Sequence, residues 1–146
     1  MKALLKQLYD YQWELTLAGA QIEENILRSH CNAENETAVR GLSRSLIITA
    51  SNIKYDLLSL EQKLTGNQQL PLNDDTNAAH IKDALHKMEH ILFNEIKAYV
   101  GLMAHLNEQL SECEAADVLK KDWPKIAEIY QFFKASLLKW EQENCL

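Results

Sequence analysis

A short stretch in the middle of the chain has the residue types and spacing to bind a metal ion. The sequence "HKMEH" places His86 and His90 four residues apart, with Glu89 beside them. On a helix the two imidazoles share one face, the arrangement in which some hydrolases hold Zn²⁺ while a glutamate activates water. Such hydrolases also need a third ligand and a sheet that seats the substrate, and no pattern here predicts either. We therefore expect His86 and His90 to be solvated surface residues and retain them only as a weak metal-binding alternative.

The arginines are concentrated in one part of the sequence. There are three, Arg28, Arg40 and Arg44, and the last two stand one helical turn apart. A guanidinium group binds a carboxylate or phosphate through two parallel hydrogen bonds, so these residues are candidates for binding a partner. Alternatively they neutralise glutamates of the same chain. Glu36 has the favourable helical spacing to Arg40, and the other candidates are Glu108, Glu112 and Glu114.

Glu95 is a carboxylate at a position where the spacing predicts an apolar residue. It lies one helical turn from both Leu92 and Tyr99. A carboxylate buried there needs a hydrogen-bond partner or a raised pKa. Because a straight helix drifts against a strict seven-residue repeat, we expect Ile96 to take the core position and Glu95 to lie at its boundary. Gln12, on the apolar stripe of the first helix, is a candidate hydrogen-bonding companion.

All these residues fall in segments whose apolar positions recur every three or four residues, which is typical of amphipathic helices. We predict helices at roughly 2–31, 35–65, 76–113 and 122–143. Asn32 and Asn35 can each cap the second helix. Pro71 marks the central loop, and Asp122 shortly before Pro124 is typical of a helix start.

Four such helices joined by short loops predict an all-α fold, an up-down-up-down four-helix bundle. With only four Gly and two Pro in 146 residues, the chain lacks the turns that an all-β fold needs. A helix of about 30 residues is about 45 Å long. We therefore expect an elongated bundle that forms a single domain over residues 1–146.

The predicted topology brings a second group of possible metal ligands to one end of the bundle. Its members are His30, Cys31, Cys113 and Glu114. Thiolate and imidazole ligands suit Zn²⁺, but the sequence has no Cys-x-x-Cys pair. We expect unmetallated thiols near the loops and keep these four residues as a weak alternative.

Other chemistry found on four-helix bundles needs patterns that this sequence does not contain. Ferritin-like di-iron proteins use a Glu-x-x-His pair on each of two helices, and no glutamate here is followed by histidine at that spacing. The nearest pattern is Asp83-x-x-His86. Histidine phosphotransfer bundles present a histidine with lysine and glycine shortly after it, and only His80, followed by Lys82, resembles that pattern loosely. We expect no cofactor.

Composition and charge exclude several classes of function. A formal net charge of −6 argues against a nucleic-acid surface, which is usually basic. No run of about 18 apolar residues is present, so we expect no membrane span. Lys6 and Asp10 interrupt the apolar start of the chain, so no signal peptide is predicted. Three widely spaced cysteines fit a reducing compartment, and we expect a cytoplasmic protein.

The helices carry more apolar residues than one core stripe requires. Trp13 and Leu17 on the first helix, and Ile129, Phe132 and Leu138 on the last, are this surplus. They either widen the core or form an interface with another chain. Tyr9 shares a face with Trp13, and aromatic residues are enriched at binding hot spots. We therefore expect a non-enzymatic bundle that binds another protein, or itself as a homo-oligomer, through the three arginines, Tyr9 and Trp13. The alternative is a ferritin-like or other bundle that binds a metal ion or small ligand.

Overall fold

Four helices account for most of the residues that the computed structural model describes, which are 2–66, 75–109 and 114–144. They are α1 (Lys2–Leu27), α2 (Ala33–Gly66), α3 (Asp75–Asn107) and α4 (Ala115–Glu143). These residues include no strand, so the predicted all-α class is confirmed. No helix in this part of the chain is both long enough and apolar enough to cross a membrane.

The helices run alternately up and down, and each packs against the next one along the chain. On α1, Tyr9 meets Glu61 of α2, while Glu23 meets Arg44, so the two helices are antiparallel. Contacts between α1 and α4 close the bundle, and α1 and α3 occupy opposite corners. The predicted up-down-up-down four-helix bundle is confirmed.

The core lies between the helices and is built from one apolar stripe on each. On α1 the stripe includes Leu8, Leu15, Ile22 and Ile26, which are all fully buried. The matching side chains on the other helices include Leu46, Ile53, Leu57, Leu85, Met88, Tyr99, Ile126 and Phe133. Burying one such side chain stabilises the fold by about 1.5–3 kcal/mol. This burial, rather than helix propensity alone, holds the long helices in place.

Gly19 lies where α1 and α2 approach each other closely. A Cβ atom at this position would lie 2.8 Å from Cγ1 of Ile47 and 3.0 Å from the carbonyl oxygen of Ser43. Both distances are shorter than ordinary van der Waals contacts. Only glycine therefore fits this level of the α1–α2 contact without a shift of the neighbouring helix.

The turn between α1 and α2 differs by a few residues from its prediction. Helix α1 ends at Leu27 rather than near position 31, and α2 begins at Ala33 rather than near position 35. Asn32 provides the cap, because its Oδ1 accepts a hydrogen bond from the backbone N–H of Asn35 at 2.8 Å. The buried side chain of Asn35 instead donates to Oε1 of Gln109 at 2.7 Å and ties α2 to the end of α3.

The predicted start of the fourth helix at position 122 is wrong. Helix α4 begins at Ala115, so Asp122 and Pro124 lie inside it. The extra turns form because Ala115 and Leu119 continue the buried stripe and are themselves completely buried. Proline inside a helix costs about 3 kcal/mol or more, and burial of these turns offsets that cost. Positions 110–113, predicted to belong to the third helix, lie outside the described residues.

Candidate functional site

The "HKMEH" stretch lies on α3 with both histidines exposed, as predicted. The His86 imidazole contacts the Glu141 carboxylate of α4. Glu89 accepts a hydrogen bond at 2.7 Å from the hydroxyl of Tyr130, also on α4. Burial, together with the Glu89 carboxylate, raises the pKa of Tyr130 to about 12. Two of the three motif residues therefore connect α3 to α4.

The end of the bundle predicted to gather His30, Cys31, Cys113 and Glu114 is partly described. The backbone N–H of His30 donates to Oε2 of Glu114 at 3.2 Å, so the α1–α2 turn does meet the start of α4. Cys113 lies outside the described residues. Within them, no three His, Cys, Asp or Glu side chains are grouped closely enough to hold a metal ion.

The three arginines pair with glutamates of their own helix or of the neighbouring one. The nitrogen–oxygen distances are 2.6 Å for Arg28–Glu24, 3.8 Å for Arg40–Glu36, 4.0 Å for Arg40–Glu23 and 3.4 Å for Arg44–Glu23. The predicted pair between Glu36 and Arg40 forms. Neither Glu108 nor Glu114 pairs with an arginine among the described residues, and Glu112 lies outside them. Exposed pairs of this kind stabilise a protein by only about 0–1 kcal/mol.

Glu95 lies at the boundary of the core, and Ile96 is buried, as the helical drift predicts. The Ser45 hydroxyl of α2 donates to Oε1 of Glu95 at 2.6 Å, while Oε2 is buried without a hydrogen-bond partner. The proposed pairing of Glu95 with Gln12 is wrong, because α1 and α3 occupy opposite corners of the bundle. The buried Gln12 instead donates to Oγ1 of Thr16, one turn further along α1, at 3.1 Å.

Asn25 of α1 and Asp122, near the start of α4, lie close to each other. Oδ2 of Asp122 and Nδ2 of Asn25 are both buried without a hydrogen-bond partner. Burial raises the pKa of the Asp122 carboxyl, although Lys121, Asn25 and Lys125 act in the opposite direction. Burial and the nearby Asp122 also raise the pKa of Tyr99 above its usual range. Its hydroxyl donates to the Leu119 carbonyl oxygen.

A groove of about 560 Å³ lies between α2 and α3, near the C-terminal end of α2 and the N-terminal end of α3. Leu60 and Ile81 form its apolar floor, and Lys63, His80 and Asp83 are among the polar residues that line it. The groove is large enough for a small ligand. Apolar and charged groups meet there, so an amphipathic molecule fits its chemistry.

Large apolar side chains are exposed along one side of the bundle, on the outward surfaces of α1 and α2. They are Trp13 at 58% exposure, Leu17 at 46%, Ile48 at 59%, Tyr55 at 68% and Leu58 at 38%. We call this surface the α1/α2 face. Because Gly19 packs against Ile47 and Tyr9 meets Glu61, the two rows of side chains run at matching levels. The five side chains therefore lie on two adjacent helices that pack closely against each other.

The residues predicted to bind a partner divide between this face and its edge. Trp13 lies within the face, and Arg44 lies at one end of it with its side chain 59% exposed. Tyr9 is half-buried, and its hydroxyl donates to Oε2 of Glu61 at 2.8 Å. Burial and Glu61 raise the pKa of Tyr9 to about 12. Arg28 and Arg40 lie beyond the same end of the face.

The contribution of α2 to this face was missed by the sequence analysis. Ile48, Tyr55 and Leu58 recur at steps of seven and three residues, which places them together in a second row beside the buried stripe. That spacing is the signal that could have revealed them. The predicted surplus lay on the first and last helices alone, and Ile129 of that surplus is buried in the core. The sequence matches no protein-family model, and no curated protein or solved structure is significantly similar to it.

Proposed function

We propose that this protein is a non-enzymatic helical bundle that binds another protein through its α1/α2 face, as inhibitors, immunity proteins, adaptors and chaperones do. The observation that carries the proposal is the exposure of five large apolar side chains on two adjacent helices, which are Trp13, Leu17, Ile48, Tyr55 and Leu58. The largest exposed apolar patch of a soluble protein is often its binding site.

The charge pattern of α2 supports the same proposal. The sequence from Thr37 to Tyr55 contains no acidic residue, although 25% of the whole chain is charged. Depletion of charge, together with exposed aromatic residues and arginine, is characteristic of interface centres. Trp13, Tyr55 and Arg44 supply these residue types on adjacent helices.

Photocrosslinking in the cells that make the protein tests the proposal. A photoreactive amino acid at position 17 should capture a protein in a defined adduct, because Leu17 lies inside the α1/α2 face. The matched control is position 138, since Leu138 on α4 is 48% exposed, much as Leu17 is at 46%. Equal labelling at the two positions, or no adduct at position 17, would contradict the proposal.

A second candidate function is the binding of a small amphipathic ligand in the groove between α2 and α3. The specific observation in its favour is the apolar floor of Leu60 and Ile81 beneath the charged side chains of Lys63 and Asp83. Ligand screening by NMR should then shift the methyl signals of Ile81, while those of Ile48, on the α1/α2 face, stay in place. Shifts of the Ile48 methyls alone would contradict this second function.

We also propose a cytoplasmic location. The support is the odd number of cysteines, three in 146 residues at wide spacing, which does not suit a disulfide framework. A protein carrying a disulfide after rapid trapping of thiols in intact cells would contradict this assignment.

A further inference from the structure

The α1/α2 face is complementary to itself. Its outward row on α1 consists of Trp13, Leu17, Ala20 and Glu24, and the row on α2 at the same levels consists of Tyr55, Ser51, Ile48 and Arg44. Level by level, two aromatic residues lie opposite each other, Leu17 lies opposite the small Ser51, and the small Ala20 lies opposite Ile48. At the last level, Glu24 of α1 lies opposite Arg44 of α2. Two such faces can interdigitate if α1 of one copy lies on α2 of the other.

Charges along the face are separated by helix. From position 10 to 24 the charged residues of α1 are Asp10, Glu14, Glu23 and Glu24, all acidic; from 37 to 58 the basic residues of α2 are Arg40, Arg44 and Lys54, and its one acid, Asp56, lines the groove on the α3 side. A twofold axis parallel to the helices sets α1 of each copy against α2 of the other, which places acid near base. A twofold axis across the helices would set α1 on α1 and bring the acids together.

The apolar area is sufficient to form the centre of a dimer interface. At their observed exposures, Trp13, Leu17, Ile48, Tyr55 and Leu58 present together about 400 Å² of apolar surface per copy. A stable interface buries about 800 Å² per partner. The five side chains thus supply about half of that area, and the polar members of the two rows supply a rim, as in known interfaces.

We propose that the partner on the α1/α2 face is a second copy of this chain, related by a twofold axis parallel to the helices. Helix α1 of each copy lies on α2 of the other, with Trp13 near the partner's Tyr55 and Glu24 near the partner's Arg44. This inference rests on the proposed function, since it names the occupant of the same face.

Sedimentation equilibrium over about 1 to 100 μM tests the dimer, with Leu138→Asp as the matched control for Leu17→Asp. The protein should sediment as a dimer. Leu17→Asp should raise the dissociation constant about 100-fold, because each dimer contains the substitution twice and buries both carboxylates. Leu138→Asp should leave the constant unchanged, and circular dichroism should show both variants folded. A monomer throughout this range, or a dimer that persists in folded Leu17→Asp, overturns the inference.

Charge exchange tests the arrangement of the two copies. Glu24→Arg and Arg44→Glu should each weaken the dimer about 10-fold, and the two together should restore it. Within one chain Arg44 pairs with Glu23, and Glu24 pairs with Arg28, so rescue reports a contact between copies. If the dissociation constant of the double variant is raised by the product of the two single effects, α1 of one copy does not lie on α2 of the other.

The dimer and the proposed function can fail separately. Adducts at position 17 with a different protein, from a chain that stays monomeric, overturn the dimer and leave the proposed function standing. Self-adducts at position 17 support both. No adduct at position 17 from a monomeric chain overturns both.

Discussion

Replacing Gly19 by alanine adds one methyl group at a close contact between α1 and α2. The new Cβ would lie 2.8 Å from Cγ1 of Ile47 and 3.0 Å from the Ser43 carbonyl oxygen. Neither atom moves easily, because one belongs to the half-buried, β-branched side chain of Ile47 and the other to the backbone of α2. Overpacking of this kind typically costs about 1–3 kcal/mol. Alanine favours the helix by about 1 kcal/mol over glycine, so we expect a net loss of up to about 2 kcal/mol in the free energy of unfolding, and a deficit of about 1–3 kcal/mol relative to glycine-to-alanine changes at open positions.

The chain supplies its own controls for this substitution. Gly41 and Gly101 are also helical, and a Cβ atom at either position meets nothing within 4 Å. Gly41→Ala and Gly101→Ala should therefore raise the free energy of unfolding by about 0.5–1 kcal/mol. Urea titration followed by circular dichroism measures the free energy of unfolding of all three variants. The slope of that free energy against urea concentration should be the same in each. If Gly19→Ala is as stable as the control variants, α1 and α2 are not in close contact at position 19, and the prediction is wrong.

Three further predictions concern charged and titratable groups. Burial raises the pKa of the Asp122 carboxyl above its ordinary value. Ionisation of this group therefore destabilises the fold as the pH rises through the folded-state pKa, and the penalty persists at neutral pH. Asp122→Asn should raise the melting temperature at pH 7, and this gain should disappear as the pH falls below about 4. A gain that does not depend on pH would show that ionisation of Asp122 is not its cause. His86→Ala with His90→Ala should change stability by less than about 1 kcal/mol, because both histidines are exposed; one zinc ion per chain, lost in that double variant by elemental analysis, would contradict this. Arg40→Glu with Arg44→Glu should keep the helical circular dichroism spectrum and lower the melting temperature slightly, since exposed ion pairs are lost; a collapse of helix content would show that these pairs hold the fold.

The sequence predicted the bundle because burial leaves a repeating pattern along each helix. Leu8, Leu15 and Ile22 recur every seven residues, and all three are buried. Glu95 was also placed correctly at the core boundary, since the drift of a straight helix is a property of one helix alone. Such features are local to a segment and can be read without knowing its neighbours.

Features that depend on the contact between helices were predicted less well. Gln12 was expected to contact Glu95, yet Glu95 accepts a hydrogen bond from Ser45. The apolar stripe of a helix does not specify which other helix packs beside it. The start of α4 was placed seven residues late because Pro124 carries a strong local signal. That signal is weaker than the burial of Leu119, which is visible only once α3 and α4 are packed together.

Pro124 has a consequence for how the bundle opens locally. Proline has no N–H, so the carbonyl of Lys120 has no donor at the usual position within its own helix. The segment Ala115–Trp123 is therefore joined to the rest of α4 by a weakened hydrogen-bond ladder, and the Tyr99 hydroxyl, which donates to the Leu119 carbonyl, holds it from α3. We expect this segment to fluctuate as a separate cooperative unit. Its amide protons should exchange with deuterium faster than those of residues 128–140. Tyr99→Phe should accelerate exchange in Ala115–Trp123 and leave exchange in residues 128–140 unchanged.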